Sequence, residues 1–384
     1  MRVCYFGTYD IDRSRNRVII EGLRQNGVEV IECHAELWRD TADKIEAVRG
    51  GLFAPRLWRR FLVSYLRLLK EYARVGHYDV MMVGYAGHFD MLLAKLLAIL
   101  ARKPLAFDIF IPLTEIIVED RRLARRSSLL ARMVYLVDKL SCRLADLVLL
   151  DTEAHARYLH DEFGVDRGKL RWAYVGAEDI YCRHRQPPRR GDREPFRVLY
   201  FGQYIPLHGV NYVVEAAKVL EGYPDISFEL VGDGQTYDEV ASLAERLQVK
   251  NVTFHRTWLS PEALIAEHIL PADVCLGIFG DTPQAKRVVP NKVFVALAMG
   301  KPVITGDSPA AREVLAHKEN ALLCEMANPQ ALAQAILSLK RDRALRERIA
   351  ERGQELFRER FSPKSIGATV KAYLTEVIEH HRGR

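Results

Sequence analysis

The sequence lacks the long hydrophobic runs, paired cysteines and leader segment that mark several large protein classes. No apolar run reaches the ~18 residues that a membrane-spanning helix needs. Residues Arg2–Tyr5 begin directly as a predicted strand, so no secretory signal peptide is expected. The six cysteines are scattered and form no CxxC pair, which predicts reduced thiols, a cytoplasmic protein and no zinc site. No recognisable nucleic-acid-binding module is present, and nucleic acid is not an expected partner.

The composition is that of an ordinary globular protein of two domains. With 384 residues, 49% apolar and 28% charged, the chain is long enough for two domains that each have a hydrophobic core. The charge is uneven: residues 1–190 hold 32 Lys and Arg against 25 Asp and Glu, whereas the remainder holds 24 against 25. The basic excess of the first half predicts an anionic partner there, such as a membrane surface, a lipid phosphate or an acidic acceptor.

The clearest strand-helix-strand pattern lies late in the chain. Two short apolar runs, Val274–Ile278 and Pro302–Ile304, are predicted to be buried strands, and residues 292–299 a helix between them. Asn291 is the predicted N-cap of that helix. Such a unit implies a parallel sheet, whose ligands bind at the carboxyl ends of the strands. The loop over residues 280–290 is therefore expected at a ligand site.

That loop contains two cations, Lys286 and Arg287, and leads into a helix N-terminus. Both features suit a phosphate group, because the helix end and the side chains offer positive charge and N–H donors. An ordinary solvated loop is the alternative that these residues leave open.

Three motifs of the second half resemble one enzyme family. They are RVLYFGQYIPLHGVNYVVEAAKVL at 197–220, FELVGDGQTYDEV at 228–240 and PNKVFVALAMGKPVITGD at 290–307. All three are similar to segments of the donor-binding domain in the retaining nucleotide-sugar glycosyltransferases of family four, which have the GT-B fold. The resemblance is good over residues 196–360 and mainly architectural over residues 1–185.

The resemblance implies an α/β fold of the GT-B type, in which two Rossmann-like domains face each other across a cleft. Residues 1–182 would form the N-terminal, acceptor-side domain, and residues 183–195 a polar linker. Residues 196–362 would form the nucleotide-sugar-binding domain. Residues 363–384 would form a terminal helix that packs back on the first domain.

The resemblance further implies a retaining, hexosyltransferase-like enzyme that moves a sugar from a nucleotide diphosphate sugar to an acceptor hydroxyl, in lipid-linked or surface glycan synthesis. It implies no metal and no cofactor besides the donor substrate. The family's glutamate pair, eight positions apart, falls on Arg287 and Val295 here. A non-catalytic sugar-nucleotide-binding or scaffold protein is therefore the main alternative, and another GT-B activity, such as an epimerase or a phosphorylase, is a third.

Further departures concern the donor diphosphate, which many relatives hold with an arginine and a lysine. Gln203 and His208 stand at those positions here. We therefore expect His208, with Lys286 or Arg287, to neutralise the leaving group. Asp108 ends a predicted strand where relatives often place a histidine against the donor sugar, and it completes the predicted catalytic set.

The predicted donor-binding residues lie in turns after strands and at a helix start. Glycines in such turns let the backbone approach a ligand. The resemblance further implies that residues 256–258 contact the nucleotide base, as the corresponding residues do in relatives. The predicted set comprises Gly7, Gly202, Gln203, Gly232, Asp233, Gly234, Thr257, Trp258, Asn291, Lys292 and Val295. If Val295 has removed a ribose contact, a glutamate there is expected to tighten nucleotide binding and to leave the fold intact.

Basic segments of the first half are candidates for acceptor or membrane contact. Residues 55–74 form a predicted amphipathic helix with one apolar side and an arginine-rich remainder. This pattern indicates peripheral contact with an anionic membrane, while simple covering of a sheet is the alternative. The basic segment Arg121–Arg143 is read either as a solvated helix or as an acceptor-docking element, and Arg15 and Arg17 as acceptor or phosphate contacts.

Overall fold

The computed structural model describes residues 1–37, 55–182 and 195–383, and only the backbone of residues 55–58. Within these residues the chain forms two compact units, each built around one parallel sheet. The predicted linker, residues 183–195, lies outside the described residues except for Pro195.

The first unit comprises Met1–Thr114, Ser127–Ala173 and Pro363–Arg384. Its six strands are all parallel, in the order β2-β1-β3-β4-β5-β6. They are β1 Arg2–Gly7, β2 Glu29–His34, β3 Val80–Val83, β4 Leu105–Phe110, β5 Leu147–Leu150 and β6 Leu170–Trp172. The helices are α1 Ser14–Gln25, α2 Pro55–Val75, α3 Met91–Ala101, α4 Leu129–Leu144, α5 Glu153–Phe163 and a C-terminal helix, Pro363–Arg382.

The C-terminal helix packs closely against α1 through two glycines. A Cβ atom on Gly22 would lie 2.0 Å from the carbonyl oxygen of Pro363, and one on Gly367 would lie 2.0 Å from the backbone of Gly22. The Asn26 side chain adds a hydrogen bond, because its Nδ2 donates to Lys364 O at 2.8 Å. Only residues without a Cβ atom allow the two helix backbones to approach this closely.

The second unit comprises Glu115–Arg126 and Tyr174–Ser362. Its six strands are also parallel, in the order β12-β11-β10-β7-β8-β9. They are β7 Phe196–Phe201, β8 Ile226–Val231, β9 Val252–His255, β10 Val274–Leu276, β11 Val303–Gly306 and β12 Leu322–Cys324. The helices are α6 Val210–Val219, α7 Tyr237–Arg246, α8 Pro261–Leu264, α9 Asn291–Ala298, α10 Pro309–Val314, α11 Pro329–Arg341 and α12 Arg343–Arg360.

The strand-helix-strand unit predicted late in the chain is present as β10, α9 and β11. The predicted cap is wrong, since α9 begins at Asn291 itself, after Pro290. The Asn291 side chain instead donates a hydrogen bond to Gly176 O at 2.9 Å. The next helix begins as the sequence predicts, because the side chain of Ser308 accepts a hydrogen bond from Ala311 N.

The compact units differ from the predicted domain boundaries in two places. Residues Glu115–Arg126 and Tyr174–Cys182, which the sequence assigns to the first domain, belong to the second unit. The basic segment Arg121–Arg143 is accordingly divided between the two units, and α4 begins only at Leu129, after the N-cap Ser128.

All six cysteines are free, and five of them are buried. Burial raises the pKa of Cys275 to about 12, so that this thiol stays protonated. Among the helices that the structure describes, none is long and apolar enough to cross a bilayer.

Candidate functional site

The strand order of the second unit reverses between β7 and β10, and two loops meet there. In open parallel sheets such a reversal leaves a ligand-binding crevice outside the carboxyl ends of the strands. The turn after β7 covers residues 202–209, and the connection from β10 to α9 covers residues 277–290. A hydrogen bond from Phe279 N to His208 O, 3.0 Å long, joins them. We therefore build the candidate site from these two loops and the start of α9.

A lysine and a histidine lie side by side where the loops meet. Lys292, in the first turn of α9, is 5% exposed, and His208 is 8% exposed. Lys292 Nζ lies 3.2 Å from His208 Nδ1 and 3.8 Å from the centre of the Tyr200 ring. Gly202 leaves room for the lysine, because a Cβ atom there would come within 3.2 Å of Lys292 Cε. The fold thus holds two nitrogen bases together at the reversal of the sheet.

Both bases hold a proton less tightly here than they would in water. Burial lowers the pKa of Lys292 well below its usual value. Burial, followed by the nearby charge of Lys292, lowers the pKa of His208 in the same direction. A bound anion would oppose both shifts, because it stabilises the protonated forms. The pair is therefore suited to bind a phosphate group together with protons.

The segment Glu115–Arg126 brings one more cation to the β7 turn. Asp120 Oδ1 accepts a hydrogen bond from Leu207 N at 2.9 Å, and burial raises the pKa of Asp120 to about 6. Arg121 Nη2 donates to Gln203 Oε1 at 3.1 Å. Sequence reasoning missed this neighbour of Gln203. The signal that could have found it was the run of arginines after Asp120.

Arg287 does not have the environment expected for a diphosphate ligand. Its Nε donates to Glu115 Oε1 at 2.6 Å, and its Nη2 pairs with the carboxylates of Glu115 and Glu119. Lys286 is exposed at the end of a 3-10 turn, Gln284–Lys286, whose other two residues are buried. The structure therefore places Arg287 in an ion pair that ties the loop to Glu115–Arg126, and its catalytic role stays a prediction.

Asp108, the predicted catalytic residue of the first unit, is inaccessible. It is completely buried and accepts two hydrogen bonds from Arg15, Nε to Oδ2 and Nη2 to Oδ1, both 2.9 Å long. Arg15 is 1% exposed, and its Nη2 also donates to Leu150 O at 3.0 Å. The two residues form a buried ion pair, which replaces both the catalytic role predicted for Asp108 and the phosphate contact predicted for Arg15.

Gly7, the predicted ligand-facing glycine of the first unit, lies against a carboxylate. Its φ is 130°, and a Cβ atom on it would lie 2.6 Å from Asp90 Oδ2. The same carboxylate accepts a hydrogen bond from Thr8 N at 2.6 Å, and burial raises the pKa of Asp90 to about 6. The glycine is thus explained by the approach of Asp90, and its contact with a ligand stays a prediction.

The remaining predicted donor-binding residues lie near the ends of β8 and β9. A Cβ atom on Gly232, whose φ is 136°, would lie 1.9 Å from Gly202 O, so these two turns need glycine in order to touch. Asp233 Oδ1 accepts a hydrogen bond from Arg256 Nε at 3.1 Å. Three members of the predicted set are solvent-exposed, namely Gly234, Thr257 and Trp258. Gly234 also lies against the backbone of Tyr204, since a Cβ atom on it would come within 2.5 Å of Tyr204 O.

Val295 lies in α9 and is 1% exposed. Val295→Glu is therefore expected to destabilise the fold, contrary to the sequence-based expectation, because it buries a carboxylate. We expect the free energy of unfolding to fall by at least about 2 kcal/mol, measured by denaturant titration. Val295→Leu is the matched control for side-chain size. A stable glutamate variant that binds a nucleoside diphosphate more tightly would contradict this expectation and restore the original one.

One group of described residues has the composition of a metal site. Atoms of Glu229, His255 and His268 lie within 4.8 Å of one another. His268 Nδ1 is already 2.9 Å from Glu229 Oε2, and Arg197 Nη1 lies 3.8 Å from the other carboxylate oxygen. These contacts account for the group as a polar cluster of the second unit.

Comparison with known proteins finds a family similar to the second half of the chain, and relatives that each cover part of it. Residues 184–356 match the glycosyl transferases group 1 family. The lipopolysaccharide core biosynthesis glycosyltransferase LpsD of Rhizobium meliloti is 28% identical over 181 residues, 47% of this chain and 49% of that protein. The chitobiosyldiphosphodolichol beta-mannosyltransferase of Candida albicans is 25% identical over 236 residues, 57% of this chain and 51% of that protein. The chain spans about half the length of the curated relatives it matches.

Solved structures resemble nearly the whole chain. HepE of Anabaena, in complex with UDP, has a TM-score of 0.69 at 17% identity and covers 98% of this chain and 100% of its own. Sucrose-phosphate synthase of Thermosynechococcus elongatus has a TM-score of 0.73 at 17% identity and covers 99% and 100%. These likenesses, together with the two parallel sheets, confirm the predicted GT-B fold. Residues 184–356, which include Lys292 and His208, are thus similar to the glycosyl transferases of group 1.

Proposed function

We propose that this protein is a retaining glycosyltransferase that moves a sugar from a nucleoside diphosphate sugar to an acceptor hydroxyl. The observation that carries this proposal is the buried pair of Lys292 and His208 at the reversal of the second sheet. A nucleoside diphosphate becomes more negative as the glycosidic bond breaks, and preorganised cations stabilise that charge best in a site from which water is excluded. The main alternative is a sugar-nucleotide-binding protein without transfer activity.

The residues proposed to hold the diphosphate are Lys292, His208 and Arg121. Lys292 and His208 are within 3.2 Å of each other, and Arg121 binds the side chain of Gln203, two residues beyond the end of β7. Amide groups in the first turn of α9 add N–H donors for a phosphate oxygen. In a front-face reaction the leaving phosphate itself takes the proton of the acceptor hydroxyl, so these residues have to bind and neutralise rather than act as the base.

We propose a uridine diphosphate sugar as the donor and a glycan or lipid-linked acceptor. HepE, which shares the fold, was solved with UDP and with UDP-glucose. Two relatives of the chain are named for lipopolysaccharide core synthesis and for a dolichol-linked sugar chain. A lipid-linked acceptor would place the protein peripherally at the inner face of a membrane.

The experiment that tests the proposal combines binding with product detection. UDP, GDP and ADP and their sugars are titrated into the protein by calorimetry, and the binding donor is then incubated with lipid-linked acceptors. We expect one diphosphate to bind selectively and mass spectrometry to show an acceptor that has gained one sugar. Binding without any transfer to the acceptors or to water would favour the non-catalytic alternative, and no binding would overturn both.

Arg121→Ala and Arg287→Ala are expected to separate a ligand contact from a structural ion pair. Arg121→Ala should weaken UDP binding about tenfold, which corresponds to about 1.4 kcal/mol. Arg287→Ala should mainly lower the melting temperature, because it removes the guanidinium that pairs with Glu115 and Glu119. Calorimetry and thermal unfolding on both variants check this. Weak binding by a fully stable Arg287→Ala variant would reinstate Arg287 as a diphosphate ligand.

Binding of UDP is expected to take up protons. The pKa values of Lys292 and His208 are lowered in the free protein, and a diphosphate raises them again by stabilising the charged forms. Affinity should therefore rise as the pH falls from alkaline to neutral values. Calorimetry in buffers of different ionisation enthalpy measures the number of protons taken up. An enthalpy that is independent of the buffer would show that neither base changes its charge.

A further inference from the structure

Three neighbouring helices of the first unit expose apolar side chains on their outer surfaces. The connections from β2 to β3, β3 to β4 and β4 to β5 all lead in the same direction along the sheet. Because such crossovers are right-handed, their helices α2, α3 and α4 lie side by side on one face of the sheet. Leu68, Ala94 and Cys142, one from each helix, enter the same buried core.

The opposite sides of these helices are unusually apolar. We call the following exposed residues the three-helix face: Leu62, Val63, Leu66, Leu69, Phe89, Leu92, Leu96, Ile99, Leu100, Leu129, Leu136 and Leu140. Among the residues described, the large apolar side chains that are exposed elsewhere are Ile11, Val219 and Trp258. The ring of Phe89 lies 5.7 Å from that of Phe61, which links α2 to the start of α3. The face is therefore continuous from α2 to α3, and α4 lies beside them on the same side of the sheet.

Helix α3 shows the pattern most clearly. Its inner side buries Met91, Ala94 and Ala98, while Leu96 is 61% exposed and Leu100 is 80% exposed on its outer side. A helix that is apolar all round is normally buried on all sides. Contiguous apolar surface of this kind marks a contact with another protein or with a membrane. The outer side of α3 therefore requires an apolar partner.

The charges on the same helices indicate whether the partner is another protein or a membrane. Together α2, α3 and α4 contain ten Lys and Arg against two acidic residues, Glu71 and Asp138. Asp138 is buried, and Glu71 is paired with Arg74 at 2.9 Å. In a symmetric dimer the same patch would meet itself, so its cations would oppose cations. A surface that combines apolar and negatively charged groups fits both properties of the face.

We infer that the three-helix face docks on a lipid bilayer that contains anionic phospholipid. The leucines enter the boundary between headgroups and acyl chains, and the arginines and lysines contact lipid phosphates. This inference deepens the proposed function, on which its biological meaning rests, because it would bring the protein to a lipid-linked acceptor. The contact itself does not depend on sugar transfer.

The test is flotation of the whole protein with vesicles of phosphatidylcholine alone or mixed with phosphatidylglycerol. We expect the protein to float with the mixed vesicles only, and less at high salt, since screening weakens the attraction to phosphates. Leu96→Asp with Leu100→Asp should lower the bound fraction at least about tenfold, because a carboxylate is costly in the lipid interface. Both residues are exposed, so the variant is expected to fold.

Matched controls come from the other unit. Val219→Asp changes an exposed apolar residue of the second unit and is the control for the leucine variant. A second test variant, Arg67→Glu, reverses an exposed charge on α2, and its control is Arg352→Glu on α12. The controls should float like the wild type, whereas Arg67→Glu should not. Failure of the wild type to float, or equal flotation of all variants, overturns the inference. A dimer in sedimentation that Leu96→Asp with Leu100→Asp dissociates would instead assign the face to a second copy. UDP affinity is measured on every variant and is expected to be unchanged. A loss of flotation with normal UDP binding then concerns the membrane contact alone and not the proposed function.

Discussion

Replacing Lys292 by methionine is expected to lower the rate of sugar transfer by at least about 100-fold, the effect of removing one preorganised donor from a developing negative charge. Lys292 Nζ lies 3.2 Å from His208 Nδ1 at the reversal of the sheet, where a leaving diphosphate is proposed to bind. Methionine has a similar length and no charge, so it removes the cation with little change in packing. The measurement is the initial rate at saturating donor and acceptor.

The same substitution is expected to raise the free energy of unfolding. Burial lowers the pKa of Lys292 in the folded protein, so the unfolded chain binds a proton more tightly at this residue. The wild-type protein then gains stability as the pH rises toward the usual pKa of lysine. Methionine removes this dependence, and its stabilising effect should be largest at low pH. Denaturant titrations at several pH values check the sign.

Lys286→Met is the matched control, because Lys286 is exposed at the end of a neighbouring turn. It should change neither the rate nor the stability. If Lys292→Met is folded and transfers sugar at a rate near that of the wild type, the diphosphate is neutralised by other groups. A variant that is both less stable and inactive would indicate that Lys292 holds the loop rather than a ligand.

Much of the second unit could be predicted because its signals are local. Strands β10 and β11 are short apolar runs between glycine, aspartate or proline, and Ser308 followed by Pro309 marks a helix start. Such patterns depend on neighbours within a few residues, and the family resemblance reinforced them. The positions of Lys292 and His208 in adjacent loops followed from the parallel sheet, since both loops leave the carboxyl ends of neighbouring strands.

The partners of individual charges could not be predicted, because they come from distant parts of the chain. Arg287 is paired with Glu115, 172 residues away, and Arg15 with Asp108, 93 residues away. Nothing near Arg287 in the sequence shows that its charge is already balanced. The burial of Lys292, which lowers its pKa, likewise depends on Tyr200 of β7 and on Gly202 in the turn after that strand.

The ion pair of Arg287 shows where carboxylates lie near the position of the first glutamate of the family's pair, which this chain lacks. Arg287 stands where the first glutamate is expected, and its guanidinium joins Glu115 and Glu119. The carboxylates that surround this position thus come from the segment Glu115–Arg126 and not from the loop itself. Because Arg287 neutralises them, contacts with donor hydroxyls have to be sought among other polar groups. The transfer experiment with several donors is therefore more informative than substitution at this position.

Arg15→Met is expected to lower the free energy of unfolding by about 3–5 kcal/mol, the cost of removing one partner of a buried ion pair. Asp108 has no exposed surface and receives two hydrogen bonds of 2.9 Å from Arg15. Burial already raises the pKa of Asp108, and loss of the guanidinium would raise it further. The folded variant then holds a proton that the unfolded chain releases, so its stability should fall as the pH rises above the usual pKa of aspartate.

Arg17→Met, an exposed change in the same helix, is the control and should be neutral. Urea titrations across pH measure both effects, and Arg15→Met with Asp108→Asn should recover part of the loss. A stable Arg15→Met variant that has lost only donor binding would return both residues to the site where the sequence had placed them.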